Sequence, residues 1–164
     1  MSYVILICGK FAAGKSTYAE KLRKIHHAAL LSCDRLMLSL FDPYLGDRHD
    51  EIAERTRRYL LKKSLELLEV GIPVILDWGF WTKHSRNEIK FFYNSRGIKT
   101  EMHYVTLSDT AWQRNLQSRS RLDAKNMPIA YPIDEKLIAK CLSRFEEPTD
   151  DEIDITYNNS QESL

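Results

Sequence analysis

The sequence predicts an α/β fold, a parallel β-sheet with helices packed on both faces. Three observations carry that expectation. Short apolar runs bounded by turn residues alternate along the chain with longer amphipathic patterns. The first apolar run passes through a glycine-containing turn directly into the first amphipathic run. The chain has 164 residues, which suits one compact domain with a sizeable core. Alternation of this kind favours parallel strands joined by helices that cover the sheet. No internal repeat, linker or low-complexity tract interrupts it.

Taken in order, "YVILIC" (3–8) predicts a buried strand, and residues 15–27 a helix. "AALLS" (28–32) is a second strand. Residues 50–70 carry a long helical pattern, with Ile52, Leu60, Leu61, Leu65 and Leu68 on its apolar side. "PVILDW" (73–78) is a third strand, and residues 83–96 a helix closed by Gly97. "KTEMHYVTL" (99–107) is a fourth strand, after which Ser108 or Asp109 caps a helix running to Arg119. Residues 120–133 are polar and hold two prolines. Asp134 opens another helix that ends near Phe145. "IDITYN" (153–158) is a fifth strand, so the domain spans 1–158 and residues 159–164 read as a frayed tail. The acidic segment "EEPTDDEID" (146–154) reads as a solvated turn before that edge strand.

Composition excludes several classes. A formal net charge of +1 provides no global field for nucleic acid or membrane, so anion recognition has to come from local clusters. Cys8, Cys33 and Cys141 are too few and too scattered for a disulfide framework or a zinc site. Cys8 and Cys33 lie in apolar runs and read as small buried hydrophobes. No run reaches the ~18 apolar residues of a membrane span, and no signal-peptide pattern opens the chain. A cytoplasmic protein of a reducing compartment is expected.

The turn "GKFAAGKS" (9–16) fits G-x-x-x-x-G-K-[ST], the phosphate-binding loop, between a strand and a helix as that motif requires. Gly9 and Gly14 permit tight turning and close approach of backbone to phosphate oxygens. Ala12 and Ala13 stand where glycines are common and leave the motif intact. Successive N–H groups, through Thr17, form an anion nest, and the helix begun at Lys15 adds its positive end. Lys15 is a movable charge for the β- and γ-phosphates, and the Ser16 hydroxyl a ligand for Mg²⁺.

In an open parallel sheet, ligands sit beyond the C-terminal ends of the strands. Asp77 closes the third strand, where a carboxylate holds magnesium, usually through a water; its ordinary alternative is a turn or cap aspartate. Asp34 follows the second strand, where a carboxylate could accept the proton of an attacking hydroxyl. Its ordinary alternative is an N-cap for the run beginning at Arg35. "RNLQSRSR" collects Arg114, Arg119 and Arg121, whose guanidinium forks suit the spread charge of a phosphoryl group in transfer. A solvated helix face is the ordinary alternative for any one of them. The polar segment after them would make a lid that excludes water.

Together these stretches resemble the P-loop kinase family that includes the polynucleotide 5′-kinase domain, chloramphenicol phosphotransferase and zeta-toxin-like kinases. The residues that carry the resemblance are "GKFAAGKST" (9–17), "LLSCDRL" (30–36), "VILDWGF" (74–80), "RNLQSR" (114–119) and "AYPIDEKLIAK" (130–140). The "VILDWGFW" form is also similar to bacterial ATP-binding predicted kinases. The resemblance covers roughly residues 3–147. It implies a P-loop NTPase fold of three α/β/α layers, kinase-type strand order 2-3-1-4-5 and a helical lid. It implies ATP and Mg²⁺ on Lys15 and Ser16, Asp34 as general base and Asp77 near the metal. It also implies Arg119 as the lid arginine and Arg114 against the adenine or its phosphates. One position departs: the family often has an acceptor-gripping arginine three residues after the base, and here it is Met37. That weakens the case for a phosphate-bearing nucleic-acid end as acceptor.

Residues 36–56 and 78–87 are expected to build the acceptor pocket, from Phe41, Tyr44, Arg48, His49, Trp78, Phe80, Trp81, Lys83, His84 and Arg86. The aromatics after Asp77 could stack on a ring or serve as core, and the ordinary reading of His49 and His84 is as surface histidines. Arg55, Arg57 and Arg58 lie in helical reach of Glu51 and Glu54 and read as surface pairs. The sequence thus predicts a kinase that moves the γ-phosphate of a nucleoside triphosphate to a hydroxyl-bearing acceptor. A nucleotide-dependent switch that hydrolyses ATP on a protein partner is the alternative. An ATP-using single-strand nucleic-acid binder is possible but not favoured. Neither the acceptor nor the oligomeric state is encoded legibly.

Overall fold

Val4 to Cys8 are five apolar residues in succession, and none of them has any exposed surface. A strand buried on both faces requires such a run. In the computed structural model, which describes residues 2–43, 45–122 and 135–161, this strand (β1, Tyr3–Cys8) is the centre of a five-stranded sheet. The other strands are β2 (Ala29–Ser32), β3 (Val74–Gly79), β4 (Lys99–Thr106) and β5 (Ile155–Asn158). Their order is β2-β3-β1-β4-β5, and every pairing is parallel. The fold class and the strand order implied by the family resemblance both hold.

The helices are α1 (Lys15–His26), α2 (Cys33–Leu40), α3 (His49–Glu69), α4 (Lys83–Asn94), α5 (Asp109–Leu122) and α6 (Glu135–Arg144). One sheet face buries Val4, Leu6, Leu76 and Met102 against Leu68 of α3 and Ile89 and Tyr93 of α4. The other buries Ile5, Ile7, Ile75 and Val105 against Tyr18, Ala19 and Leu22 of α1 and Ala111 of α5. Cys33 and Met37 of α2 form a smaller cluster with Ile52, Ala53 and Leu60 of α3. Met37 therefore points into the core.

Local signals account for most helix ends. Ser108 caps α5, its Oγ accepting from the Ala111 N–H at 3.2 Å. Gly97, at φ +70°, turns the chain out of α4 while the Ile98 N–H reaches back to Tyr93 O at 3.1 Å. α2 follows β2 without a gap, and its cap is Ser32, whose Oγ accepts from the Arg35 N–H at 3.4 Å. Asp34 thus lies inside the first helical turn and is not the N-cap.

Two expectations fail for tertiary reasons. The acidic segment is not wholly solvated, because Glu152 is buried against Arg86, its Oε2 2.6 Å from Arg86 Nε. The first residues of the expected tail are not frayed. Residues Asn159–Gln161 form a 3-10 turn, and the Asn159 side chain reaches the loop after β1. No described helix is long and apolar enough to cross a membrane.

Candidate active site

The loop after β1 has a shape that few residues tolerate. At Gly9 (φ +151°) a Cβ would lie 2.5 Å from Val105 O. Ala12 and Gly14 both take left-handed backbone, at φ +59° and +90°. Gly14 is also the N-cap of α1, so no side chain caps that helix, and its first turn holds no acidic residue. The open N–H groups and the positive end of the dipole are left to serve an anion. Lys15 folds back over the loop and donates from Nζ to Lys10 O at 2.8 Å.

The sheet register brings the two aspartates to the same edge. Ser32 at the end of β2 pairs with Asp77 of β3, and Asp34 follows two residues on. Asp77 is buried, and its Oδ2 accepts from Ser16 Oγ at 2.8 Å. Loop hydroxyl and strand-end carboxylate are thus already joined. Asp34 is exposed and, with Lys15, Ser16 and Asp77, lines a cleft of ≈ 1550 Å³. Trp78, Phe80 and Trp81 line it as well. The Trp78 indole N–H is fixed to Leu31 O at 3.1 Å, and its ring lies 5.9 Å from that of Phe80. Phe80 itself holds φ +42°, a conformation bulky residues rarely keep without surrounding packing to enforce it. Burial pushes the Cys8 and Cys33 thiols up to about 11, which keeps both protonated beside the site.

The family model described as an AAA domain (AAA_33) matches residues 4–148, most of the chain. The chain belongs to the AAA domain family. No curated protein matches it. Among solved structures it is similar to a candidate kinase from Chloroflexus aurantiacus (17% identity, TM-score 0.74, covering 98% of this chain and 89% of that one). It is similar to Chaetomium thermophilum Kti12 in complex with ADP-AlF3 (17%, TM-score 0.72, 97% and 89%). A third is Mycobacterium tuberculosis APS kinase in complex with AMPPNP and APS (16%, TM-score 0.65, 96% and 88%). These likenesses establish the P-loop kinase fold.

Within this AAA domain the cleft gathers Ala12, Ala13, Gly14, Lys15, Ser16, Thr17, Asp34 and Asp77, together with His49, Trp78, Phe80 and Trp81. Phe41, Arg48, Lys83 and His84 are not part of its wall. Arg86 is overturned as an acceptor residue, since it is 1% exposed and spends its guanidinium on Glu152, Phe80 O and Glu146 O. Arg55, Arg57 and Arg58 do pair with Glu51 and Glu54, although Arg57 and Arg58 also border the cleft. Arg114 is exposed on α5, whose described cleft-lining residues are Asn115 and Ser118. The side chains of Arg119 and Arg121, Tyr44 and most of the expected lid lie outside the described residues. Sequence reading missed Lys140 and Arg144, four apart on α6, which add positive charge to the wall. It also missed Trp112, Asn115 and Asn159, which grip the phosphate-binding loop from more than 90 residues away and leave no local signal.

Proposed function

We propose that this protein is an ATP- and Mg²⁺-dependent phosphotransferase that passes the γ-phosphoryl group to a hydroxyl of a second substrate. The observation that carries this reading is the Ser16–Asp77 contact at 2.8 Å in the lining of a cleft that Asp34 and Lys15 also line. Hydroxyl and carboxylate oxygens are the donors a hard cation prefers, so Ser16 and Asp77 suit Mg²⁺. Bound there, Mg²⁺ would neutralise phosphate charge. The cleft exceeds the ~300–1,000 Å³ of one small-molecule site, which leaves room for nucleotide and acceptor side by side.

In this reading the loop amides and the α1 terminus hold the phosphates, and Lys15 swings from Lys10 O to the β- and γ-oxygens. Asp34 takes the proton from the acceptor O–H. The acceptor oxygen bonds to the γ-phosphorus as the bond to the β–γ bridging oxygen breaks, and ADP departs with that electron pair. Arg119 serves as the lid arginine, with Arg114 near the adenine. The acceptor is a small molecule or a nucleic-acid end, and its hydroxyl enters between Asp34 and the aromatic wall.

The test is a labelled-ATP transfer screen over nucleosides, oligonucleotide 5′-ends, sugars and aminoglycoside- or chloramphenicol-like compounds. With an accepted substrate in hand, Asp34→Asn is expected to lower transfer by about 10²–10⁴-fold while ATP affinity stays within a few-fold. Full activity in Asp34→Asn refutes the base assignment. ATP hydrolysis that no hydroxyl compound alters, with a surface that changes between ATP and ADP, favours the nucleotide switch instead.

A further inference from the structure

Three side chains from distant parts of the chain donate to three consecutive carbonyls of the phosphate-binding loop. Trp112 Nε1 donates to Phe11 O at 2.8 Å, Asn115 Nδ2 to Ala12 O at 2.9 Å, and Asn159 Nδ2 to Ala13 O at 2.9 Å. Two elements supply them, α5 and the turn after β5. The Trp112 ring is itself pinned, because the Lys10 ammonium sits 5.0 Å over it and also meets Asp109 at 3.7 Å.

A trans peptide is planar, so each C=O and the N–H that follows it point in opposite directions. A carbonyl anchored outward therefore aims its partner N–H inward. Phe11 O fixes the N–H of Ala12, and Ala13 O fixes the N–H of Gly14. Ala12 O fixes the N–H of Ala13, which closes the turn on Lys10 O at 3.2 Å. Left to itself, the loop would not keep this shape. Ala12 carries a Cβ at φ +59°, left-handed backbone that residues other than glycine disfavour. Gly14 is what admits Asn159, since a Cβ there would run into Asn159 Nδ2.

We propose that Trp112, Asn115 and Asn159 are positioning residues that lock the peptide planes of the Gly9–Ser16 loop, so that its amide cage is formed before a polyphosphate arrives. Donors fixed in advance bind an anion without first losing conformational freedom. This rests on the reading that the loop holds polyphosphate. It assigns a role that extends the binding machinery beyond the motif itself.

The test measures affinity for two ligands, ADP and inorganic tripolyphosphate, by calorimetry on wild type, Trp112→Phe and Asn159→Ala. Trp112→Phe keeps an aromatic ring and removes only the N–H. Each variant is expected to bind both ligands more weakly by the same factor, roughly two- to tenfold. Asn159→Gln, which retains an amide donor, is expected to recover part of the loss. A residue that merely supports the fold shifts the unfolding midpoint and leaves the affinity of the folded protein unchanged, so variants that bind both ligands like wild type overturn the proposal. A loss seen with ADP and not with tripolyphosphate also overturns it, by making these side chains contacts to the base. Wild type that binds neither ligand overturns the polyphosphate reading itself, and the proposal with it. Asn115→Ala carries the same comparison should Trp112→Phe fail to fold.

Discussion

Arg86→Met provides the sharpest test of how the aromatic wall of the cleft is held. Arg86 is 1% exposed and Glu152 is 6% exposed. The guanidinium makes four contacts: Nε to Glu152 Oε2 at 2.6 Å, Nη2 to Oε1 at 3.3 Å, and Nη1 to Phe80 O at 3.2 Å and Glu146 O at 2.9 Å. Removing it leaves a buried carboxylate with Thr149 as its near donor (3.1 and 3.0 Å) and the Lys83 ammonium 3.9 Å away. Breaking one side of a buried pair costs about 3–5 kcal/mol. A second route to the magnitude is the Glu152 carboxyl. The Arg86 hydrogen bond is the largest cause that brings it from its ordinary 4.5 down to about 2, which at about 1.36 kcal/mol per unit is about 3 kcal/mol. Thr149 supplies part of that drop and survives the substitution, so a loss of about 2–3 kcal/mol is expected, out of a typical total of about 5–15 kcal/mol. Urea unfolding followed by circular dichroism measures it. The sign with pH follows from linkage: a carboxyl lowered by folding stabilises the folded chain above its unfolded value of 4.5, and this is lost as pH falls through about 2. The gap between wild type and Arg86→Met therefore narrows as pH falls from about 5 toward about 2. The double variant Arg86→Met/Glu152→Gln is expected to regain much of the loss, because no buried charge is left alone. A deficit under about 1 kcal/mol, the size of a surface pair, or one that does not change with pH, refutes the reasoning.

Two further predictions concern the site and the opposite sheet face. Ser16→Ala and Asp77→Asn are each expected to weaken Mg²⁺–ADP binding by about tenfold or more while metal-free ADP binds nearly as before, read by calorimetry with and without Mg²⁺. Equal losses in both conditions contradict a metal role for the pair. His103 is 2% exposed beneath Tyr18, whose hydroxyl lies 3.0 Å from Nδ1, and burial holds its pKa below the ordinary 6.5 despite Glu101 at 3.6 Å. The unfolded chain takes up a proton that the folded chain resists, so stability is lost as pH falls below 6.5. His103→Gln is expected to flatten that slope in urea midpoints measured at about pH 7.5 and 5.5.

The sequence by itself determined the five strands and most of the helices, because these are written in local patterns; the strand order was what the family resemblance implied, and the short α2 was not read from the pattern. The apolar run Val4–Cys8, the alternation around it and the Ser108 cap signal each need only a few neighbouring residues to be read. The phosphate-binding loop was legible for the same reason: glycine spacing, lysine and hydroxyl lie within Gly9–Ser16. Asp77 was legible because a strand end is a local position. Tertiary structure alone decided what those pieces meet. Ser32 capped α2, a role the sequence had offered to Asp34 as its ordinary alternative, because the chain enters that helix directly from β2. Arg86 and Glu152, 66 residues apart, looked like pocket and solvent residues and became a buried pair. Asn159, 146 residues beyond Ala13, looked like a loose end and became a grip on the loop. The physical reason is common to all three. Backbone conformation is set largely by neighbours in sequence, whereas burial and hydrogen-bond partners are set by packing, and packing exists only once the sheet has closed.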